Sequence, residues 1–345
     1  MKKLLYYLVC VFLPIIIGVA ITNYMLDPGE VYSNRFTDRI IEAHSKQLNV
    51  TNAPINLDDR SYKRKLCELY RGKTFDYLVL GHSRAQSISS DMFKGASLLN
   101  LWVGGGQLEE SVAFYEICKE NHIRYKHVIL CADPAALFNE NYTDTRWRSL
   151  GDYYYRFLQK KKEFNLDFSR LENLFSFSYF QTALKQDTPE DMQFVTSNEN
   201  KGRTYRADGS MGFAESTRKR SQGEVDNAAR TEMHAMFNDF TTLSEERLQV
   251  FDALVQAIRK DGADVYLLCC PYHPLFYKRI ENIIGLRDGM KYIEEYSRKN
   301  HIEMIGHFNS NLDVAFSNKD FIDQAHQRKD YIVRLLRYHL GDDVN

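Results

Sequence analysis

Four short apolar runs, each cut off by glycine, proline or aspartate and separated by stretches of helix length, constrain this chain more than any other feature. They are Tyr77–Leu80 ending at Gly81, Leu98–Val103 stopped by Gly104-Gly105-Gly106, Val128–Ala132 stopped by Asp133-Pro134, and Val265–Cys270 before Pro271. Short continuous apolar runs suit strands buried on both faces. Between them, Gln107–Asn121 carries Leu108, Val112, Tyr115 and Cys118 at helical spacing, and Leu248, Phe251, Leu254, Val255 and Ile258 mark a second amphipathic helix. A helix around Lys291–Lys299 precedes a weak fifth strand near Ile302–Ile305, and a last helix runs from about Arg328 to His339. The alternation predicts the α/β class, with a three-layer, doubly wound parallel sheet. Ligands of such sheets sit beyond the carboxyl ends of the strands, so the candidate segments are Gly81–Arg84, Gly104–Gly106, Asp133-Pro134 and Pro271–Pro274. Residues 140–245 break the alternation. Rich in Tyr, Phe and Arg, they read as a mostly helical insertion over the site.

Ahead of this domain, expected over residues 71–345, lies a segment of another kind. Lys2 and Lys3 precede Leu4–Thr22, a run without a charged residue. At ~1.5 Å per helical residue it would span about 28 Å, close to the hydrocarbon core of a bilayer. Tyr6, Tyr7 and Tyr24 lie near its ends. The run therefore reads as a transmembrane anchor over residues 1–24, followed by a juxtamembrane arm over 25–70. The two lysines predict a cytoplasmic N-terminus and place the α/β domain outside the cell membrane. The other reading is a cleaved signal peptide, with Gly18-Val19-Ala20 as its small-x-small site. The run is long for an h-region of ~7–15 residues, which favours the anchor.

With 45 Lys and Arg against 46 Asp and Glu, the chain lacks the basic surplus of a nucleic-acid binder. Besides Cys10 there are five cysteines (Cys67, Cys118, Cys131, Cys269 and Cys270), an odd number that excludes a complete disulfide framework within one chain. No Cys-x-x-Cys or Cys/His spacing implies a metal site. The glycine run at 104–106 lacks the Lys-Ser/Thr of a phosphate loop, so no cofactor is implied.

Two short motifs carry the chemistry. Gly81-His82-Ser83-Arg84 sets a serine at a strand-to-helix turn, where backbone N–H groups favour developing negative charge. Taken alone, this serine reads first as a helix cap. Asp323-Gln324-Ala325-His326 lies before the last helix. A carboxylate and an imidazole three residues apart can share one turn, the carboxylate orienting Nδ1 while Nε2 faces a serine hydroxyl. A serine needs such activation, because its free hydroxyl is a weak nucleophile at neutral pH.

Together the two motifs resemble the SGNH/GDSL hydrolase superfamily, whose first block is Gly-x-Ser after the first strand and whose last is Asp-x-x-His. The likeness is strongest to a membrane-anchored branch associated with acylation of surface polysaccharides, through Gly-x-Ser-Arg, Asn100-Leu101-Trp102-Val103-Gly104-Gly105 and Asp133-Pro134. It covers about residues 74–138 and 248–340. It implies a flavodoxin-like sheet, a Ser83–His326–Asp323 triad, and an oxyanion hole from the Ser83 and Gly105 N–H groups. Asp133 stands where the superfamily usually has an asparagine, and is expected to brace the nucleophile turn through Arg84. His273 is a further candidate for substrate contact. The expected function is a serine O-acyltransferase or esterase acting on acyl groups of a cell-surface glycan, with a polytopic membrane acyltransferase as an implied partner. The rival is a catalytically inactive glycan-binding or assembly component of the same fold.

Overall fold

The apolar runs pair into a five-stranded parallel sheet in the computed structural model, which describes residues 2–53, 57–142, 144–161, 169–185, 192–196, 202–309 and 313–345. The chain runs α1 (Lys2–Leu26), α2 (Arg35–Ser45), β1 (Asn49–Thr51), α3 (Asp59–Leu69), β2 (Thr74–Leu80), β3 (Leu98–Asn100), α4 (Leu108–Glu120) and β4 (Arg124–Cys131). Next come α5 (Pro134–Phe138), α6 (Gly151–Phe157), α7 (Ser169–Phe175), α8 (Phe177–Lys185), β5 (Gln193–Val195), β6 (Thr204–Tyr205) and β7 (Met211–Gly212). Then follow α9 (Glu215–Arg218), α10 (Gln222–Thr231), α11 (Glu245–Lys260), β8 (Asp264–Leu268), α12 (Pro274–Ile280), α13 (Ile284–Asn300), β9 (Glu303–Ile305) and α14 (Lys329–Leu340).

The parallel sheet has the order β3-β2-β4-β8-β9. Because side chains alternate along a strand, each strand feeds two cores. Leu78, Leu80, Val128, Leu130 and Leu267 pack with Val112 of α4, Phe251 and Leu254 of α11 and Ile293 of α13. Tyr77, Val79, Ile129, Leu268 and Ile305 face the other way, onto Tyr331, Ile332, Leu335 and Leu336 of α14. The order reverses between β2 and β4, which opens a crevice at their carboxyl ends.

A second sheet corrects the expected fold class. β5-β1-β6-β7 is antiparallel, joining β1 from the arm to three strands from residues 140–245. The fold is mixed α/β with two sheets, not one sheet under a mostly helical insertion. Strands of two or three residues are too short to show a period in sequence. Residues 143, 162–168, 186–191 and 197–201 of the expected insertion lie outside the described residues. The β6–β7 turn docks on the large sheet: Asn100 N–H donates to Asp208 O (2.7 Å) and Met211 N–H to Gln86 O (2.8 Å). Gly209, at φ +85°, allows this approach, since a Cβ there would fall 2.3 Å from Asn100 O.

The N-terminal expectation is corrected as well. Among the described residues no helix is long and apolar enough to cross a membrane. The transmembrane anchor over 1–24, the cell-membrane placement and, with the membrane-anchored branch, the polytopic membrane partner that the resemblance implied therefore fall. α1 meets protein at its C-terminal end, where it packs on α7 and α8. There the buried Asn23 amide nitrogen lies 3.0 Å from each of the carbonyls of Asn173, Leu174 and Ser176. A charge-free run asks for apolar surroundings without specifying which ones. All six cysteines are free, five of them buried.

Gly81 is the tightest joint of the large sheet. Its φ is +134°, and a Cβ would sit 2.5 Å from Cys131 Cβ on the neighbouring strand. Gly81→Ala is expected to lower unfolding free energy by about 3 kcal/mol through backbone strain and overpacking. Urea unfolding reads this directly; a loss below ~0.5 kcal/mol would mean that the strand ends yield freely.

Candidate active site

β2 delivers its last residues to the crevice, and Ser83–Ala85 follow as one turn of 3-10 helix. Two neighbours hold this turn. The buried Asn100 amide donates to Ala85 O (2.9 Å) and Ile88 O (2.8 Å), and its oxygen accepts Trp102 N–H (3.0 Å). Val103 N–H donates to Gly81 O (3.0 Å), which lays the glycine run beside the turn. Ser83 is left half-buried with its hydroxyl toward the crevice.

The Asp-x-x-His segment is a tight loop closed on itself. Asp323 Oδ1 accepts the N–H groups of Ala325 and His326, both at 2.8 Å, and Ile322 N–H donates to His326 O (3.0 Å). The end of β8 pins it from below: His273 N–H donates to Gln324 O (3.1 Å), and the Gln327 amide donates to Pro271 O (2.5 Å). Loop and turn then meet. His326 Nε2 is 2.8 Å from Ser83 Oγ, and Nδ1 is 2.8 Å from Asp323 Oδ2 and 3.0 Å from Oδ1. Phe213, just after β7, sets its ring edge-on to the imidazole at 5.4 Å.

Charge fixes the roles of the two ring nitrogens. Burial alone would raise the Asp323 carboxyl, but His326 and the two N–H groups outweigh it and hold the group well below the usual carboxylate range. An ionised carboxylate only accepts, so Nδ1 carries the hydrogen and Nε2 is free to accept the serine hydroxyl. A proton can leave Ser83 for His326 while the resulting imidazolium sits beside a fixed negative charge.

Below the serine lies a buried ion pair. Arg84 donates to Asp133 Oδ2 (2.7 Å) and Pro271 O (2.7 Å), also reaches Cys270 O, and lies 3.9 Å from the Tyr272 ring centroid. The Tyr272 hydroxyl donates to the same carboxylate oxygen, while Asp133 Oδ1 accepts Ala135 N–H (3.0 Å) as the cap of α5. Burial works against the ionised Asp133, yet Arg84 and His82 hold its pKa below the ordinary value. His82 was missed in the sequence. Its buried ring lies 3.6 Å from Asp133 Oδ2 and 3.5 Å from Cys131 Sγ, and burial pushes it down to about 4. Only its place between Gly81 and Ser83 marked it.

The remaining expected residues fall in two places. Gly105 is at φ +61° in the glycine run, with Arg146 packed so closely that a Cβ would lie 2.5 Å from its guanidinium. Its N–H has no acceptor among the described residues. His273 is fully buried, its Nδ1 accepting Leu275 N–H (3.2 Å) and its Nε2 3.2 Å from Asp226. Occupied on both nitrogens, it caps α12 and supports the Asp-x-x-His loop through its backbone. Among the described residues no group of three or more His, Cys, Asp or Glu side chains could hold a metal ion.

No family model matches the chain, and no curated protein matches it. The likeness to the membrane-anchored branch of the SGNH hydrolases is thus corrected: no family model carries it, and among the described residues the spanning helix that defines that branch is lacking.

Two outcomes are expected from this geometry. Arg84→Met and Asp133→Leu should each cost about 3–5 kcal/mol, because each strands a buried charge, whereas the double variant should recover much of the sum. Additive losses in urea unfolding would show that the pair acts through no mutual interaction. The second outcome concerns pH. His44 and His82 are both pushed down to about 4 by burial, against ~6.5 in an unfolded chain. Between those values the unfolded chain binds protons that the folded one refuses, so stability falls as pH falls from ~6.5 to ~4. Each ring accounts for about 3 kcal/mol of that loss. Equal unfolding free energies at pH 7 and 4.5 would contradict it.

Proposed function

We propose that this protein is a serine-dependent acyl-ester enzyme, an O-acyltransferase or esterase acting on acyl groups of a glycan. Ser83 is the nucleophile, His326 the general base and acid, and Asp323 the residue that orients His326. The observation that carries the reading is the unbroken hydrogen-bond chain Ser83 Oγ, His326 Nε2, His326 Nδ1, Asp323 Oδ2, with 2.8 Å at both links. In the first half-reaction the serine oxygen attacks the acyl carbonyl as His326 takes its proton. His326 then returns that proton to the departing alcohol. A sugar hydroxyl or water, deprotonated by the same imidazole, releases the acyl group and restores the serine. The Ser83 and Gly105 N–H groups are the candidate donors to the transient oxyanion. Support for a glycan comes from one aromatic ring of residues 140–245 at the site, Phe213, which stands edge-on to His326.

A fluorophosphonate probe and a panel of activated and sugar acyl esters test the proposal. The expected outcome is covalent labelling of Ser83 and turnover that falls by several orders of magnitude in Ser83→Ala and in His326→Ala. The double variant should be little worse than either single one, because such groups act as a unit. Asp323→Asn should stay folded and lose several orders in rate, through the wrong tautomer. A folded protein that never labels, or a Ser83→Ala variant with ordinary turnover, would sink the assignment.

A further inference from the structure

Between Asp323 and His326 lies a side chain that neither the hydrogen-bond chain nor the oxyanion hole uses. Gln324 is buried, 5% exposed, and its Nε2 lies 2.7 Å from Glu232 Oε2 and 3.2 Å from His234 Nε2. The carboxylate of Glu232 can only accept, so it fixes which end of the amide faces it. The same Nε2 therefore donates to His234, whose Nε2 must be an unprotonated acceptor. Both partners follow α10 and belong to residues 140–245, while Gln324 belongs to the loop that presents His326. His234 is itself held by rings, edge-on to Phe276 at 5.8 Å and near Phe237 at 6.5 Å.

We propose that Gln324 and His234 are positioning residues: their hydrogen bond clasps the Asp323–His326 loop to the segment after α10 and holds His326 in line with Ser83. This rests on the reading of Ser83, His326 and Asp323 given above. The Gln324 backbone carbonyl is already tied to His273 N–H and the Gln327 amide to Pro271 O, so the Gln324 side chain adds a lateral tether, to a different segment. Protonating His234 turns its acceptor into a donor facing a donor, and opens the clasp. Burial, together with the nearby charges of His326 and Arg84, outweighs Asp323 and Asp133 and holds the His234 pKa below its ordinary value. Glu232 and Arg279, whose guanidinium donates to the Ala229 and Glu232 carbonyls, are further charged groups at the clasp. The site is therefore closed at neutral pH and loosens on the acid side of 6.5.

Hydrogen exchange of peptides covering residues 318–328, corrected for intrinsic rates, tests the clasp without requiring turnover. His234→Phe keeps the ring contacts and removes the acceptor; His234→Gln restores an acceptor at a similar reach. The expected result is faster exchange in the loop for His234→Phe and Gln324→Leu, with the rest of the protein unchanged and protection largely recovered in His234→Gln. In the wild type, loop exchange should rise with falling pH through a midpoint below 6.5, and that midpoint should vanish in His234→Gln. On an acyl-ester substrate, His234→Phe should lower kcat by about 10- to 100-fold with KM little changed, since a misplaced base costs rate rather than binding. Equal loop protection in His234→Phe, His234→Gln and wild type across pH 5.5–8 would overturn the clasp. A protein with the expected exchange pattern and no esterase or transferase activity would keep the clasp and overturn the proposed function instead.

Discussion

Everything at the crevice leans on one buried guanidinium. Arg84 is 4% exposed, and a charge taken so far out of water must be matched by a counter-charge and by hydrogen bonds. The two Nη groups of its fork are engaged from two strands at once, Asp133 following β4 and the Cys270 and Pro271 carbonyls following β8, while the buried Nε has no hydrogen-bond partner among the described residues. Since Arg84 directly follows Ser83, satisfying the guanidinium also fixes where the serine backbone can lie. A planar, rigid fork does this better than a lysine ammonium, which would reach the carboxylate as a point charge without spanning both strand ends.

The same turn is held from its other side by the second sheet. Lys63 of α3 donates to Asn100 O (2.9 Å) and to Gly209 O, joining the β6–β7 turn to the residue whose amide clamps Ala85 and Ile88. Burial pushes this lysine down to about 7, so its bonds to neutral carbonyls carry much of its placement. Trp102 adds an indole N–H to the same Gly209 carbonyl (3.1 Å). Through these contacts residues from the expected insertion enter the foundation of the site, and Phe213 and His234 enter its rim.

What could be read in the sequence divides along physical lines. β2, β3, β4, β8 and β9 fall on apolar runs, and α4, α11, α13 and α14 on helical periodicities, because burial on both faces or on one stripe leaves a pattern in residue types. Ser83, Asp323 and His326 were visible since a tight turn and an i, i+3 pair are local features. The second sheet left no pattern, being built of two- and three-residue strands from distant parts of the chain. His82 and His234 escaped for the same reason: their meaning comes from partners 49 and 90 residues away. The N-terminal run misled, because hydropathy reports the demand for apolar surroundings without saying what meets it.

Asp133 shows how a residue that looks unfavourable in sequence becomes neutral in place. A free carboxylate behind the serine would oppose the negative charge that an acyl carbonyl develops during attack. Here one oxygen accepts Arg84 and the Tyr272 hydroxyl, and the other is spent on the α5 cap. With the guanidinium 2.7 Å away, the two charges present a dipole to the crevice rather than a net charge. Its field falls off faster with distance than that of a lone ion, and the positive end belongs to the residue next to Ser83. An amide at this position could help to hold an oxyanion, but it could not balance Arg84. The carboxylate balances Arg84 instead, and under the proposed function the candidate donors to an oxyanion are the backbone N–H groups of the turn and the glycine run.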